Sequence, residues 1–539
     1  MSDPIVIGLD IGEVVCTSHF FATSQGPCLG ALFNDSTPEF PCAVLTGEVR
    51  PNLGLPLVAQ LIDVAKKAAL SPEGRYVIRR AMEALCSSST EGALGEADVS
   101  SHVLEIALLL YHVLAATLQE IASERKRRHL PRMSAARTLV ISVPMCSLAL
   151  DEGTFASVIA AAMNTARGAL DRTLGVSIPS FCIVPSLCAA TASMPRLLTD
   201  SSPGAALVVV TMDFSSAAVG ILRRKDSCFV IENTVVDHSC GGAIVDQSLL
   251  HQVLATHHEF FISHPPTASL KRLILGKIQG AKKQLFQAKK TISSATIDFE
   301  AGGAQRSFTL TAELVQGVAC DALTRKLTNL FRLLGGPWGS LRGVLLTGEP
   351  FAVPALRKSI ETSWRSLGVL PDKTEFLFPE EIRTACSAGG AALGQLNEPL
   401  DTFLSAACLK IAQVGAKTTF QLLVLLHGNV YGCVWPRGTP YGLTVNKAME
   451  VMHQPATNGV IRAALALVAV DDERIVCDTI PSVQFHIPRL SAAEGGERRF
   501  TINAQTTVDR SGEIRLRMVH PASGSVFHAS LGPFPSLAS

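Results

Sequence analysis

Two stretches about two hundred residues apart, "IVIGLDIGEVVCTSHFF" (5–21) and "ALVVVTMDFSSAAVGIL" (206–222), share one design. Each is an apolar, β-branched run that ends on an aspartate, Asp10 or Asp213. A few small residues follow, and then a second apolar run. That pattern reads as strand, tight turn, strand, with the first turn at Gly12. Its recurrence predicts duplicated lobes that face one cleft. A third junction, "GVLLTGEPFAVPALR" (343–357), predicts a strand, a turn at Gly348 and a helix start. A glycine there suits the approach of a phosphate to a helix N-terminus.

An acidic residue at a strand end beside a glycine turn is one way to hold a phosphate and its metal. The acid orders the cation's waters, and the glycine lets backbone N–H groups approach the anion. Asp10 and Asp213 are therefore candidate metal ligands through water; the alternative is a strand-end Asp that caps its own turn. Against a phosphate stands Glu13, which follows Gly12 directly. A carboxylate about 4 Å from a phosphate oxygen costs roughly 1 kcal/mol in bulk water and roughly 4 kcal/mol at a partly shielded site. The sequence leaves open whether Glu13 faces the site or swings outward.

The 539 residues exceed one ordinary core. Lys+Arg number 47 and Asp+Glu 46, so overall charge gives no argument for nucleic-acid binding. The apolar stretch 103–118 contains Glu105 and His112, is short for a bilayer, and predicts a buried core helix. The opening "MSDPIVIGLD" has no basic n-region, and the 14 cysteines are scattered without a CxxC pair. Both suit a cytoplasmic protein with reduced thiols. The histidines show no ligand spacing. Residues 270–292 predict a helix with Leu270, Leu273, Ile274, Ile278, Ala281, Leu285, Ala288 and Ile292 on one side. Lys271, Arg272, Lys282, Lys283, Lys289 and Lys290 then form a solvated face. The cations of "RKRRH" (125–129) suit a helix C-terminus. After about residue 396, short strand-like runs with turn signals predict a small all-β domain.

This ordered set of motifs resembles the DnaK-type, seventy-kilodalton heat-shock protein family, distantly and along nearly the whole chain. "VIGLDIG" resembles its first phosphate loop, and "TLVISVP" (138–144) the strand that ends in a Val-Pro switch at Pro144. "DHSCGGAIVDQSL" (237–249), with Gly241 and Gly242, is similar to the family's His-x-Gly-Gly segment. "AKKTISS" (288–294) resembles its adenosine-contacting segment, which makes Lys289, Lys290 and Ser293 candidate contacts. A charged helix end before a serine pair is the alternative there, and a required turn is the alternative for Gly241 and Gly242. "LLTGEPFAVPAL" (345–356) resembles the second-lobe glycine loop, and 500–526 a strand pair of the peptide-binding domain.

The resemblance implies an α/β fold: an actin-like, two-lobed ATPase domain over 1–396, a connection over 397–410, and a β-sandwich over 411–539 without the family's helical lid. It implies ATP or ADP with Mg as cofactor. The departures imply a degraded site. Glu13 and Val14 replace the first loop's threonines, Phe214-Ser215-Ser216-Ala217 replaces the second loop's Gly-Gly-Gly-Thr, and Glu349-Pro350 follows Gly348. Ser186 stands at the catalytic Glu, Arg79 or Arg80 at the catalytic Lys, and Phe286 at the adenine-side Glu. A lidless member with a silent ATPase resembles the Ssz-type branch of the ribosome-associated chaperone complex. That implies a zuotin-type J-domain partner, with the ribosome and nascent chains nearby. The rival expectations are an active ATP-dependent chaperone and a scaffold that binds no nucleotide.

Overall fold

The structure is a computed structural model. It describes residues 5–395 except 24–25, 34–36, 46–55, 72–74, 79, 82–95, 132–137, 146–153, 195–204, 226–227, 238–239, 287–291, 336–337 and 380. Beyond 395 it describes the strands between 421 and 531 with a few turn residues. The expected connection 397–410 lies outside the described residues.

Mixed α/β architecture follows from the apolar runs. The first hairpin, Val6–Ile11 with Val15–Phe21, is antiparallel, with Asp10 opposite Thr17. Strand Thr138–Val143 lies parallel to Val6–Ile11, and Phe181–Pro185 lies parallel to that. On the other side Cys28–Gly30 pairs with Val15–Phe21, which also takes the short strand Glu39–Pro41. A second sheet repeats this order and sense. Cys228–Asp237, Ala217–Lys225 and Ala206–Met212 run antiparallel in turn, and Leu341–Thr347 and Glu375–Leu377 then continue in parallel. Each sheet thus has an antiparallel hairpin whose first strand is extended by two parallel strands. Strands such as Thr138–Val143, buried along nearly their whole length, read as continuous apolar runs because both faces are covered.

Helices cover the sheets. Glu96–Arg127 carries the expected 103–118 core stretch, buried against helix Thr154–Leu174. Its Val99–Arg127 part is long and apolar enough to span a bilayer, but more than half of its most apolar window is buried inside the protein. Arg125, Lys126 and Arg127 stand in the last turn of this helix, as expected, and Arg125 does more than meet the helix end. It is buried and donates to the Ala22 and Pro131 carbonyls, so it stitches the helix to the first sheet. In the second half, Thr311 caps helix Ala312–Leu334 by accepting from the Leu314 N–H. Trp364, fully buried, stacks on Phe331 with ring centroids 4.1 Å apart. After the second sheet the chain returns to the first, where helix Ala385–Gln395 lies directly on the opening strand.

Helix Ala268–Leu285 ends seven residues before the expected 292, and Ser294–Ala301 begins a hairpin with Ala304–Thr311. Ile274, Ile278, Ala281 and Leu285 are buried as the period predicts, whereas Leu273 is 49% exposed. Ala288 lies outside the described residues. From 421 onward the chain forms two antiparallel sheets, with Gln421–Leu426 central in one and Arg498–Val508 in the other. Ile502, Ala504 and Thr506 point inward in strict alternation with exposed neighbours.

A Cβ on Gly8 would lie 2.1 Å from the Ser387 carbonyl oxygen and 2.2 Å from the Ala391 nitrogen. We expect Gly8→Ala to push helix Ala385–Gln395 off the first sheet. Urea unfolding should show a loss of about 3 kcal/mol, at the upper end of overpacking.

Candidate functional site

The two hairpin turns meet at one cleft. Asp10, Gly12, Thr17 and Glu39 line it from the first sheet's elements, with Pro144 and Ser186. Thr211, Asp213, Phe214, Ser216, Gly242, Asp246, Lys282, Lys283, Gly348 and Glu349 line it from the second half, and Arg383 and Cys386 from the returning chain. Five sequence candidates, Asp10, Gly12, Asp213, Gly242 and Gly348, are therefore gathered there.

Glu13 does not swing outward. It is 1% exposed and reaches across to the second turn. The Ser215 N–H and Oγ donate to its Oε2 (3.0 and 2.6 Å), and the Ser216 Oγ donates to its Oε1 (2.8 Å). Its own N–H points at Asp213 Oδ1 (3.5 Å), which also accepts from the Phe214 N–H (2.8 Å). Ser186 adds a smaller bridge, from its Oγ to Thr211 Oγ1 (3.3 Å).

Two further N–H groups near the turns are also used. The Gly12 N–H donates to the Val15 carbonyl (3.1 Å) and the Gly348 N–H to the Ile382 carbonyl (3.4 Å). Gly241 lies behind the second turn. A Cβ there would stand 2.5 Å from the Phe214 carbonyl oxygen and the Ser216 nitrogen. This close packing lets the Gly242 and Ala243 N–H groups at the start of helix Gly242–Thr256 donate to the Asp213 and Phe214 carbonyls (3.1 and 2.6 Å). Gly241 is thus the N-cap packed behind the second turn, and Gly242 begins the helix and lines the cleft. Gly348 has φ +118°, with Met212 O 2.1 Å from where its Cβ would be, so only glycine fits.

Farther along the cleft, charges pair. Lys282 meets Asp246 (2.5 Å), which also accepts from Gln279 (3.0 Å). Lys283 crosses to Glu39 of the first half, and Arg383 stands 3.9 Å from the same carboxyl group. The expectation of a solvated face fails for Lys282 and Lys283, because the last turn of helix Ala268–Leu285 abuts the cleft; Lys271 and Arg272 are exposed as expected. Burial would raise the pKa of Glu349, but the Lys282, Arg383 and Lys283 cations draw it below the ordinary value. Burial holds Asp246 above its ordinary value, with Lys282 opposing. Sequence reasoning did not single out Glu39, Asp246 or Arg383. Nothing in "TPEFPC" marks Glu39 as facing a lysine 244 residues away.

Lys289, Lys290 and Arg79 lie outside the described residues. Ser293 is exposed, outside the cleft lining, and its carbonyl accepts from the Ala312 N–H. Arg80 pairs with buried Glu105 (3.2 Å). Phe286 packs into the second core. Among the described residues no group of three or more His, Cys, Asp or Glu side chains is arranged to hold a metal ion. As folded here, the phosphate end does not fit a magnesium nucleotide: Glu13 is not among the residues that line the cleft but ties the two turns together beside it, so the Ser215 N–H and the Ser215 and Ser216 hydroxyls are bonded to a carboxyl group of the chain. No family model matches the sequence. No curated protein is detectably similar to it.

Burial raises the Asp10 pKa from 3.8 to about 6, with the Ser142 hydroxyl opposing. Asp213 is raised well above its ordinary value by burial first, then by Glu13 and Asp10. An acid whose folded pKa lies above its unfolded one stabilises the protein below the unfolded value, and that stability is lost as pH rises through the folded value. Stability should therefore fall between about pH 4 and pH 6 on account of Asp10. We expect Asp10→Asn to flatten that fall and to be more stable than the native chain at pH 7.5 by about 3 kcal/mol. Urea unfolding across that pH range checks this.

Proposed function

We propose that this chain is an atypical DnaK-type protein with a silent ATPase site. In this reading an actin-like, two-lobed domain over 1–396 is joined through 397–410 to a β-sandwich over 411–539. It acts as a chaperone or co-chaperone subunit beside a zuotin-type J-domain protein in the cytoplasm, where nascent chains leave the ribosome. The observation that carries the silent site is Glu13. Phosphoryl transfer needs preorganised donors and cations aimed at developing charge. Here three donors of the second turn are aimed at a protein carboxyl group instead. Ser186 cannot act as a carboxylate base, and Arg80 is engaged by Glu105. Two sheets of identical order around one cleft support the two-lobed reading. The second reading, a scaffold that binds no nucleotide, is favoured by the same carboxyl group and differs in its partners.

We expect no ATP turnover above buffer, with or without a J-domain, in a steady-state assay. Turnover at the rate of an ordinary chaperone would overturn the silent-site reading. We also expect millimolar Mg-ATP to leave the thermal midpoint unchanged, since stabilisation scales as RT ln(1 + [L]/Kd). Affinity purification from cytosol, followed by sedimentation at low salt, separates the two readings. Equal amounts of a J-domain protein and recovery with ribosomes support the chaperone subunit. A lone monomer in the soluble fraction supports the scaffold.

A further inference from the structure

Two thiols meet beside the first turn. Cys16 lies on strand Val15–Phe21, opposite Phe40 of strand Glu39–Pro41. Cys42 follows two residues after Phe40, so the alternation of side chains puts it on the same face as Cys16. Both residues are 0% exposed, and their sulfurs stand 3.0 Å apart. That is about 1 Å beyond the length of a disulfide bond. The backbone holds Cys42 there: its N–H donates to the Val14 carbonyl (2.8 Å), and its carbonyl accepts from the Val77 N–H (2.9 Å). The Cys42 thiol also donates to the Gly12 carbonyl (3.0 Å), which ties the pair to the turn that carries Glu13. A buried cysteine is ordinarily a small apolar side chain. Contact between the sulfurs sets this pair apart, and so does the choice of partner. Cys28 is nearer to Cys16 in the chain, but it lies opposite Phe21, about 17 Å farther along the strand. The fold therefore selects the more distant cysteine.

We propose that Cys16 and Cys42 are a modification site, joined as an intramolecular disulfide when the protein meets a small hydroperoxide. The peroxide oxidises one sulfur to a sulfenic acid; its O–O bond breaks, and water or an alcohol leaves. The second sulfur then attacks the first. The S–S bond forms, the S–OH bond breaks, and the hydroxide leaves with the thiol proton as water. Two electrons pass from the pair of sulfurs to the peroxide. Because the sulfurs are held in contact, this second step needs no diffusion. Burial, then Cys16, Asp213 and Asp10, hold the Cys42 thiol well above its ordinary value. The pair therefore stays reduced against trace oxidant, and thiol reductants reverse the bond. Oxidation removes the S–H donor from the Gly12 carbonyl and closes residues 16–42 into one loop, so it acts directly on the first turn. The site rests on the sulfur geometry and is independent of the chaperone reading.

The test treats the folded full chain with hydrogen peroxide. The remaining thiols are then alkylated in denaturant, and the product is mapped by mass spectrometry. Chymotrypsin suits the digestion, since cuts after Phe21 and Phe33 separate Cys16, Cys28 and Cys42. Cys16 and Cys42 should lose alkylation in step. Their peptides should be recovered joined, lighter by two hydrogens than the sum of the reduced pair, and dithiothreitol should separate them. The same treatment in urea should give mainly Cys16 joined to Cys28, because an unfolded chain closes the shorter loop more readily. In the folded Cys16→Ala chain, Cys42 should appear in no disulfide. Recovery of both thiols free, or Cys16 joined to Cys28 in the folded native chain, overturns the proposal. So does Cys42 joined to a third cysteine in Cys16→Ala. A Cys16–Cys42 bond that forms as readily in urea as in the folded chain overturns it too, since the pairing would then owe nothing to the fold.

Discussion

A carboxyl group buried to 1% exposure must find hydrogen bonds or forfeit several kcal/mol. Glu13 finds them only if the second turn stands opposite the first, at a distance that lets Ser215 and Ser216 reach its oxygens. That requirement couples the two sheets more tightly than apolar packing alone, which tolerates small slides. It also decides the character of the cleft. Three donors of the second turn are spent on a carboxyl group of the chain itself, beside the cleft that both turns line.

Around this contact the scaffold works through close backbone approach. Helix Ala385–Gln395 presses on the opening strand at Gly8, and Gly348 lies on the Met212 carbonyl. The segment from Glu381 to Ser387 therefore touches both halves. Ile382 O accepts from the Gly348 N–H, Arg383 approaches Glu39, and Ser387 Oγ is bonded with Thr17 and His19 of the first sheet. The chain, which crosses twice between its sheets, thus makes close contacts with both where it returns.

The ion pairs along the cleft have a different role. Lys282 with Asp246, and Lys283 with Glu39, are partly or fully removed from water, so each partner depends on the other. Such pairs add little net stability compared with apolar packing, yet breaking one leaves a costly uncompensated charge. The Lys283–Glu39 pair also joins the two halves across the cleft. Basic residues that could have received a ligand's charge are matched by carboxyl groups of the same chain.

Much of this was legible in the sequence. A strand announces itself through period-two or continuous β-branched runs, and a turn through glycine and small residues. Those local rules located the hairpins at Asp10 and Asp213, the Gly348 junction, the buried 103–118 helix and the strands after 421. They also pointed to Asp10, Gly12, Asp213 and Gly348 facing one cleft, because strand ends on one edge of similarly ordered sheets face the same way; Gly242 was singled out only by the family resemblance. Tertiary structure decided the rest. Whether Glu13 pointed outward or across depended on Ser215 and Ser216, two hundred residues away. Lys282 and Lys283 had the spacing of a solvated face, and only the docking of their helix end against Asp246 and Glu39 placed them in ion pairs along the cleft. Local sequence determines backbone conformation through short-range sterics and apolar period. The partner of a charged side chain is settled by long-range packing, to which those local signals are blind.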